Sequence, residues 1–305
     1  MRRLDNIDLR LLRVFVILAE SGGFAEAQMA LNLSASTLST HLSALERKLG
    51  GRLCERGRGG FRLTAFGEAT LAAAQQLFAD IDAFHARVGR DRGQLVGRLR
   101  VGIVDGVVTS PALGLQAALG RYMEYGSEVF IDLELGTPLQ LEQAVADGRR
   151  DVVIGPFSQR APGVSYVPLV REPHGLYCGR GHPLFEVPNQ KLDRAAIEAA
   201  LFSVRGYRHL EDLYRVEHPR AGATVLHMEA QVMLILSGRF IGFLPKHIAA
   251  PWEAQGVMRL LRPQAYGFES QHFIATRAVD AERPLVRLLV QEIRQQAARL
   301  DPAVA

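Results

Sequence analysis

The stretch Phe24–Leu49, FAEAQMALNLSASTLSTHLSALERKL, decides how the first fifth of the chain folds. The alanine-rich run Phe24–Leu31 predicts a short helix, and Asn32 and Leu33 predict a tight turn. Ser34 then stands where an N-cap belongs, before a helix running to about Leu49 in which Leu38, Leu42, Leu45 and Leu49 repeat at three-and-four spacing. Two short helices joined by a tight turn are the sequence form of a helix-turn-helix. Ser34, Ser36, Thr37, Ser39 and Thr40 crowd hydroxyls into the start of the second helix, where helix propensity does not favour them. A helix that enters the major groove needs a slim first turn with short donors and acceptors, and these side chains, with His41, are candidate DNA contacts. An exposed amphipathic helix with a serine-rich start shows the same local pattern, so the flanks decide.

Upstream, LRLLRVFVILAE (9–20) places Leu9, Leu12, Val16 and Ala19 at helical spacing with Phe15 beside them, and SGG ends the run. Downstream, CERGRGGFRLT (54–64) has glycines at 57, 59 and 60 that allow a tight hairpin. Arg56 and Arg58 are carried on its turn and arm as candidate phosphate contacts. The spacing does not fit a phosphate-binding GxxxxGK[ST] loop. Residues 1–66 hold ten Lys or Arg against six Asp or Glu, so they carry the whole chain's formal excess of +4. Localised positive charge is the footprint expected of a phosphate-backbone binder.

The order FVILAESGGFAEAQMALNLSASTLSTHLSALERKLGGRLCERGRGGFRLTAFG resembles the winged helix-turn-helix of LysR-type transcriptional regulators. The matching positions are Phe15, Ser21 to Phe24, Leu31, Ser34, Ser39, Leu45-Glu46, Leu49-Gly50, Leu53, Arg56, Leu63-Thr64 and Gly67. Three positions depart from the pattern: Ala35 stands where glutamine is frequent, Thr40 where arginine or another polar base contact is frequent, and Cys54 where phenylalanine is usual. The first two shift the expected contacts toward Ser36, Thr37, Ser39 and His41, and Cys54 reads as a small core filler. The resemblance implies sequence-specific binding to an interrupted palindrome in double-stranded DNA and transcriptional control exerted with RNA polymerase. It also implies a homodimer or homotetramer.

Residues 65–91 have no proline and repeat apolar residues at helical spacing (Leu71, Leu77, Phe78, Ile81, Phe84, Val88), which predicts a rod of about 40 Å. Its length asks for a partner helix, and the resemblance implies an antiparallel dimerising pair. Beyond it, strand and helix signals alternate. VFIDLEL alternates apolar residues Val129, Ile131, Leu133 and Leu135, DVVIG reads as a buried strand, and Thr137-Pro138 opens a helix. The expected architecture is α/β: a winged helix-turn-helix domain (1–64), a linker helix (65–93) and a two-lobed effector domain (94–305). Lobe I takes residues 94–170 and 272–305, and lobe II takes 171–271. The second half is similar to the periplasmic-binding-protein-like (type 2) effector domain of the same family.

Ligands of open α/β folds collect at strand ends and helix starts, so the effector is expected between the lobes. The candidates are Gly106, Val107, Thr109 and Ser110 after the first strand, Thr137 after the second and Phe157 after the third. From the second lobe come Arg205, Gly206, Met228 and Glu229. Arg205, Arg208 and His209 bring cations to one strand end and the Thr137 helix adds amide donors, which predicts a small organic acid as effector. Asp105 and Glu229 are the opposing signal and favour an amine or zwitterion.

No GxSxG, HExxH or GxGxxG motif is present and the nine histidines show no metal-ligand spacing, so neither catalysis nor a metal or other cofactor is expected. The N-terminus has no signal-peptide pattern, and no apolar run is long enough for a membrane span. A cytoplasmic protein is the expectation, and an exported solute-binding protein is the less favoured alternative. A redox-responsive regulator is another, but Cys54 and Cys178 are isolated from each other and neither belongs to a CxxC pair. The sequence does not identify the effector or the target genes, nor does it separate activator from repressor or dimer from tetramer.

Overall fold

The computed structural model describes residues 6–57, 60–90, 95–125, 128–158, 160–218 and 220–301. The chain falls into two compact units, Met1–His85 and Ala86–Ala305.

In the first unit α1 (Asn6–Glu20), α2 (Phe24–Leu31) and α3 (Ala35–Leu49) bury one apolar stripe each: Leu11, Phe15 and Leu18 from α1, Ala27 from α2, and Leu38, Leu42 and Leu45 from α3. The left-handed backbone of Asn32 (φ 50°) ends α2 and turns the chain into Ser34, the N-cap of α3. An antiparallel hairpin follows, β1 (Cys54–Gly57) paired with β2 (Gly60–Leu63). Its entry is fastened to α3 by the Glu46 carboxylate, which accepts the Leu53 amide at 2.8 Å. Cys54 is buried in this core, as a filler would be.

The next helix, α4 (Ala65–Arg90), starts within the same packing. Spacing alone assigned Leu71, Leu77 and Phe78 to a seam with a partner helix, but they are half-buried against the core of the first unit, and Ala74 is fully buried there. Phe84, further along, is 57% exposed.

The second unit is built on one nine-stranded sheet. β3 (Val96–Ile103) lies between and parallel to β4 (Glu128–Leu135) and β5 (Val152–Gly155), with α5 (Leu115–Glu124) and α6 (Pro138–Ala146) as crossovers. This is lobe I. The 16-residue β6 (Val164–Gly179) then crosses into lobe II. There α7 (Arg194–Glu198) leads to β7 (Leu201–Arg205), and α8 (His209–Val216) connects β7 to its parallel neighbour β8 (Ala223–Val225). Next come α9 (Met228–Leu236), β9 (Phe240–Pro245), α10 (Lys246–Ala254), β10 (Met258–Leu261) and α11 (Pro263–Tyr266). β11 (Phe268–Arg277) returns antiparallel to β6, and α12 (Pro284–Leu300) covers lobe I. Lobe I packs Leu99, Val101, Val152 and Ile154 against Tyr122, Leu289 and Ile293. Lobe II buries Phe202, Val204, Ile241 and Phe243 in one cluster and Tyr177, Val232 and Leu244 in another.

The expected division between the lobes at residues 170 and 171 lies within β6, which carries Pro168 and Pro173 along its length. One feature differs from the sequence expectation. β4 is an edge strand, and of its alternating residues only Val129 is buried. Leu133 and Leu135 are 48% and 59% exposed, together with Phe130 at 62%.

Candidate DNA-binding and effector sites

The N-terminal turns of α3 present the hydroxyls that drew attention in the sequence. Ser34 Oγ accepts the Thr37 amide at 3.2 Å and pairs with the hydroxyls of Ser36 and Thr37 at 2.9 and 2.8 Å. Thr40 donates its hydroxyl to the Ser36 carbonyl at 2.9 Å, keeping its oxygen's lone pairs outward. Ser34, Ser36 and Thr40 are exposed, whereas Thr37, Ser39 and His41 are half-buried. Ser43 and Arg47 extend the same ridge as Ser36 and Thr40, and both are exposed. Sequence reasoning overlooked these two, although Ser43 three residues after Thr40, and Arg47 four after Ser43, were the available signal. Arg56 lies in β1 opposite Phe61, and its side chain falls outside the described part; Arg58 lies outside the described residues altogether.

In the second unit, the loop after β3 meets lobe II. Asp105 accepts a hydrogen bond from the Met228 amide at the start of α9, where the helix's exposed amides favour a negative group. His227 Nδ1 lies 3.8 Å from the same carboxylate. Burial raises the Asp105 pKa, and the Met228 amide and His227 oppose that rise. Gly106 has φ 78°, and a Cβ there would come within 2.5 Å of Ile248 in α10, so this residue lets the lobes approach. Thr109 Oγ1 lies 2.9 Å from His247 Nδ1, and His247 Nε2 lies 2.9 Å from Glu172 Oε1 on β6. A threonine of lobe I, a histidine of lobe II and a glutamate of the crossing strand thus form one polar chain.

Glu172 is the most constrained group here. Burial acts to push its carboxyl up, but the His247 hydrogen bond, with His272 and His174 nearby, outweighs this and holds it at about 2. Burial, followed by the neighbouring Arg205, pushes His174 down to about 3, and burial likewise lowers His272. Both imidazoles are therefore neutral at physiological pH, and Glu172 keeps its charge chiefly through His247. The β6–β11 pairing shifts register between Gln271 and Phe273, a bulge that places His272 beside Glu172. Sequence reasoning missed Glu172, His174, His247 and His272; charged and imidazole residues inside apolar strands were the signal.

Of the ten effector candidates, Gly106, Thr109 and Met228 come together at this junction. Glu229 is exposed on the first turn of α9, Gly206 is exposed after β7, and Ser110 is buried in the loop. Val107 and Phe157 belong to the lobe I core, where Phe157 packs edge-on against Tyr166 at 6.1 Å. Thr137 forms a capping box with Gln140, its hydroxyl 2.9 Å from Gln140 Oε1, so the side chain serves its own helix. Arg205 must be corrected. Its Nε and Nη2 donate to Asp212 at 2.9 and 2.5 Å in a bidentate pair, and at 2% exposure the side chain is buried away from the cleft surface where a ligand carboxylate would be met. The His209 side chain lies outside the described part. Arg208 remains available: it donates to Ser270 Oγ at 2.9 Å and reaches Glu211 at 3.3 Å, with further N–H groups unassigned.

Neither cysteine is in a disulfide and both are buried, and burial pushes the Cys178 thiol up to about 12, far from the thiolate form that redox chemistry needs. Among the described residues no group of three or more His, Cys, Asp or Glu is arranged to hold a metal ion, and no helix is long and apolar enough to cross a membrane.

A helix-turn-helix with a hairpin wing, followed by two parallel-stranded lobes on crossing strands, defines a DNA-binding protein with a sensing domain. The chain belongs to the LysR family. Residues 9–68 match the bacterial regulatory helix-turn-helix of that family and residues 92–298 match the LysR substrate binding domain. It is a LysR-type DNA-binding transcriptional regulator with an effector-binding domain. Over 276 residues it is 37% identical to the HTH-type transcriptional activator BauR of Pseudomonas aeruginosa, covering 90% of each chain. Over 312 residues it is 26% identical to the regulator CbbR of Sinorhizobium medicae, covering 98% of this chain and 96% of that one. The fold is similar to full-length OxyR from Pseudomonas aeruginosa (TM-score 0.63, 23% identity, 96% of each chain). It is also similar to CbnR complexed with its target DNA (TM-score 0.62, 23% identity, 94% of this chain and 99% of that one).

Proposed function

We propose that α3 reads base edges through Ser36, Thr40 and the ridge that continues to Ser43 and Arg47, with Ser34, Thr37, Ser39 and His41 shaping its first turns and Arg56 and Arg58 holding the adjacent phosphates. The exposed polar ridge of α3 carries this reading. The protein acts in the cytoplasm as a homodimer or homotetramer on an interrupted palindrome and works through RNA polymerase. Likeness to an activator supports activation as its mode. Competition binding over a panel of sites at several salt concentrations tests the assignment. Ser36→Ala is expected to reorder the preferred sequences. Arg56→Ala is expected to weaken all sites alike and to lower the salt slope by about one unit.

Assembly follows from exposed apolar surface. Phe84 on α4 and the edge strand β4, with Phe130, Leu133 and Leu135, are surfaces that an oligomer would cover. Phe84→Asp is expected to weaken association by roughly tenfold or more, since a buried phenylalanine side chain contributes about 1.5–3 kcal/mol. Sedimentation showing the same oligomer at the same concentration would remove Phe84 from the interface. Leu77→Asp is a poorer probe, because Leu77 packs in the DNA-binding core.

The effector is a small carboxylate-bearing compound held where Asp105, Gly106, Thr109, Met228 and His247 meet. Its cationic partner is Arg208 in place of the buried Arg205.

A further inference from the structure

The charges at the lobe junction do not balance for a plain acid. Arg205 is paired with Asp212, and His174 and His272 are neutral at physiological pH, so that among the described residues of the junction the carboxylates of Asp105 and Glu172 stand beside the guanidinium of Arg208, whose partner Ser270 lies opposite Glu172 in the β6–β11 pairing. Glu211, exposed, already leans on Arg208. The other titratable neighbours are His227, 3.8 Å from Asp105 and half exposed, and His247, 2.9 Å from Glu172. A ligand that brought only a carboxylate would add a third like charge to this enclosed place, and burial of unpaired charge is unfavourable.

The hydrogen bonding leaves matching gaps. Glu172 Oε1 accepts from His247, but Oε2 faces His174 Nε2 and His272 Nε2 only at 3.5 and 3.9 Å. His272, 1% exposed, has no hydrogen-bond partner at Nδ1. Asp105 Oδ2 accepts from the Met228 amide. A compact group with several N–H donors and a positive charge satisfies these acceptors, whereas a hydroxyl or carboxylate does not. Ser270, the strand partner of Glu172, and the Arg208 that donates to it offer donors to an anion.

We propose that the effector is an amino-acid-type zwitterion, its ammonium group held by Asp105 and Glu172 and its carboxylate by Arg208. This rests on the reading of the inter-lobe junction as the effector site. It also assigns roles to three side chains on separate elements: the loop after β3, strand β6 and the start of α8. A ligand that joins them ties lobe I, the crossing strand and lobe II together.

Calorimetry on the full chain tests this with 3-aminopropanoate, 4-aminobutanoate and L-alanine as probes, beside propylamine and propanoate, which each lack one charged end. At least one amino acid is expected to bind tenfold or more tightly than either single-ended analogue. Asp105→Asn and Glu172→Gln, which keep the Met228 and His247 hydrogen bonds, are each expected to weaken it at least tenfold. Melting of the unliganded variants checks that they fold, and a Glu172→Asp protein supplies a charged control if Glu172→Gln does not. Propanoate binding as tightly as the amino acids and lost in Arg208→Gln would overturn the zwitterion while keeping the cleft as the effector site. An amino acid whose affinity survives all three neutral variants would move the effector out of the cleft altogether. Absence of binding by every probe would also overturn the proposal, with DNA binding by the unliganded chain left to judge the regulator reading on its own.

Discussion

Asp212→Ala is expected to destabilise the effector domain by about 3–5 kcal/mol, because it strands the guanidinium of Arg205 in a site where the described residues offer no other counter-charge at hydrogen-bond distance. Asp212 is fully buried and also accepts the Arg205 backbone amide at 3.1 Å, so the loss removes three hydrogen bonds together. Burial works against the Arg205 charge, but Asp212 more than offsets it and raises the guanidinium's pKa. For a domain of this size roughly 2–4 °C of melting temperature accompanies each kcal/mol, so a fall on the order of 10 °C is expected in thermal unfolding of the full chain. Arg205→Met combined with Asp212→Ala should recover most of the loss, since an apolar pair of similar volume removes both charges. A double variant as unstable as the single one would show that the pair's geometry, rather than the unpaired charge, is what matters.

Gly67→Ala is expected to damage the DNA-binding unit selectively. An ideal Cβ at Gly67 would stand 1.9 Å from the Leu53 carbonyl oxygen, a backbone atom that the Glu46 and Thr64 hydrogen bonds hold in place on both sides. Nothing flexible is there to yield, so the start of α4 must shift from the β1 entry, at a cost of about 1–3 kcal/mol or more. The contrast is Gly51, where a Cβ would press on the ring of Phe66, which is 42% exposed and able to swing away. DNA binding and the melting of the full chain read the difference. Gly67→Ala should lose DNA binding while the effector domain's transition persists, and Gly51→Ala should keep both. Equal behaviour of the two variants would contradict the close approach at Leu53.

The first unit was legible because its signals are local. The Ser34 cap, the breaks at Ser21-Gly22-Gly23 and Asn32-Leu33, and the glycines of the hairpin act within a few residues, and the structure places α2 and α3 where those signals point. The effector site was less legible because its pairings are long-range. Arg205 reads as a free cation at a strand end until α8 folds back and brings Asp212 onto it, seven residues on. Thr137 reads equally as a cap or a ligand donor, and the capping box with Gln140 settles that its side chain serves the helix. Glu172 and His272 meet only because β6 and β11 run antiparallel with a bulge at His272, which no local pattern encodes. The alternation in β4 marked a strand correctly but misjudged its surroundings, since an edge strand leaves Leu133 and Leu135 exposed until something covers them.

The central claim is that two copies of α3, held at a fixed separation, choose the DNA on which this regulator acts. Selection of bound duplexes from a random-sequence library by the full chain, run beside Ser36→Ala and Thr40→Ala, tests it most directly. The account predicts enrichment of an inverted repeat whose half-site centres lie about one helical turn, or a multiple of it, apart, with the preferred bases within each half-site changed by the two variants and the spacing retained. Enrichment of no repeat, or of a repeat whose bases are the same for all three proteins, would contradict it.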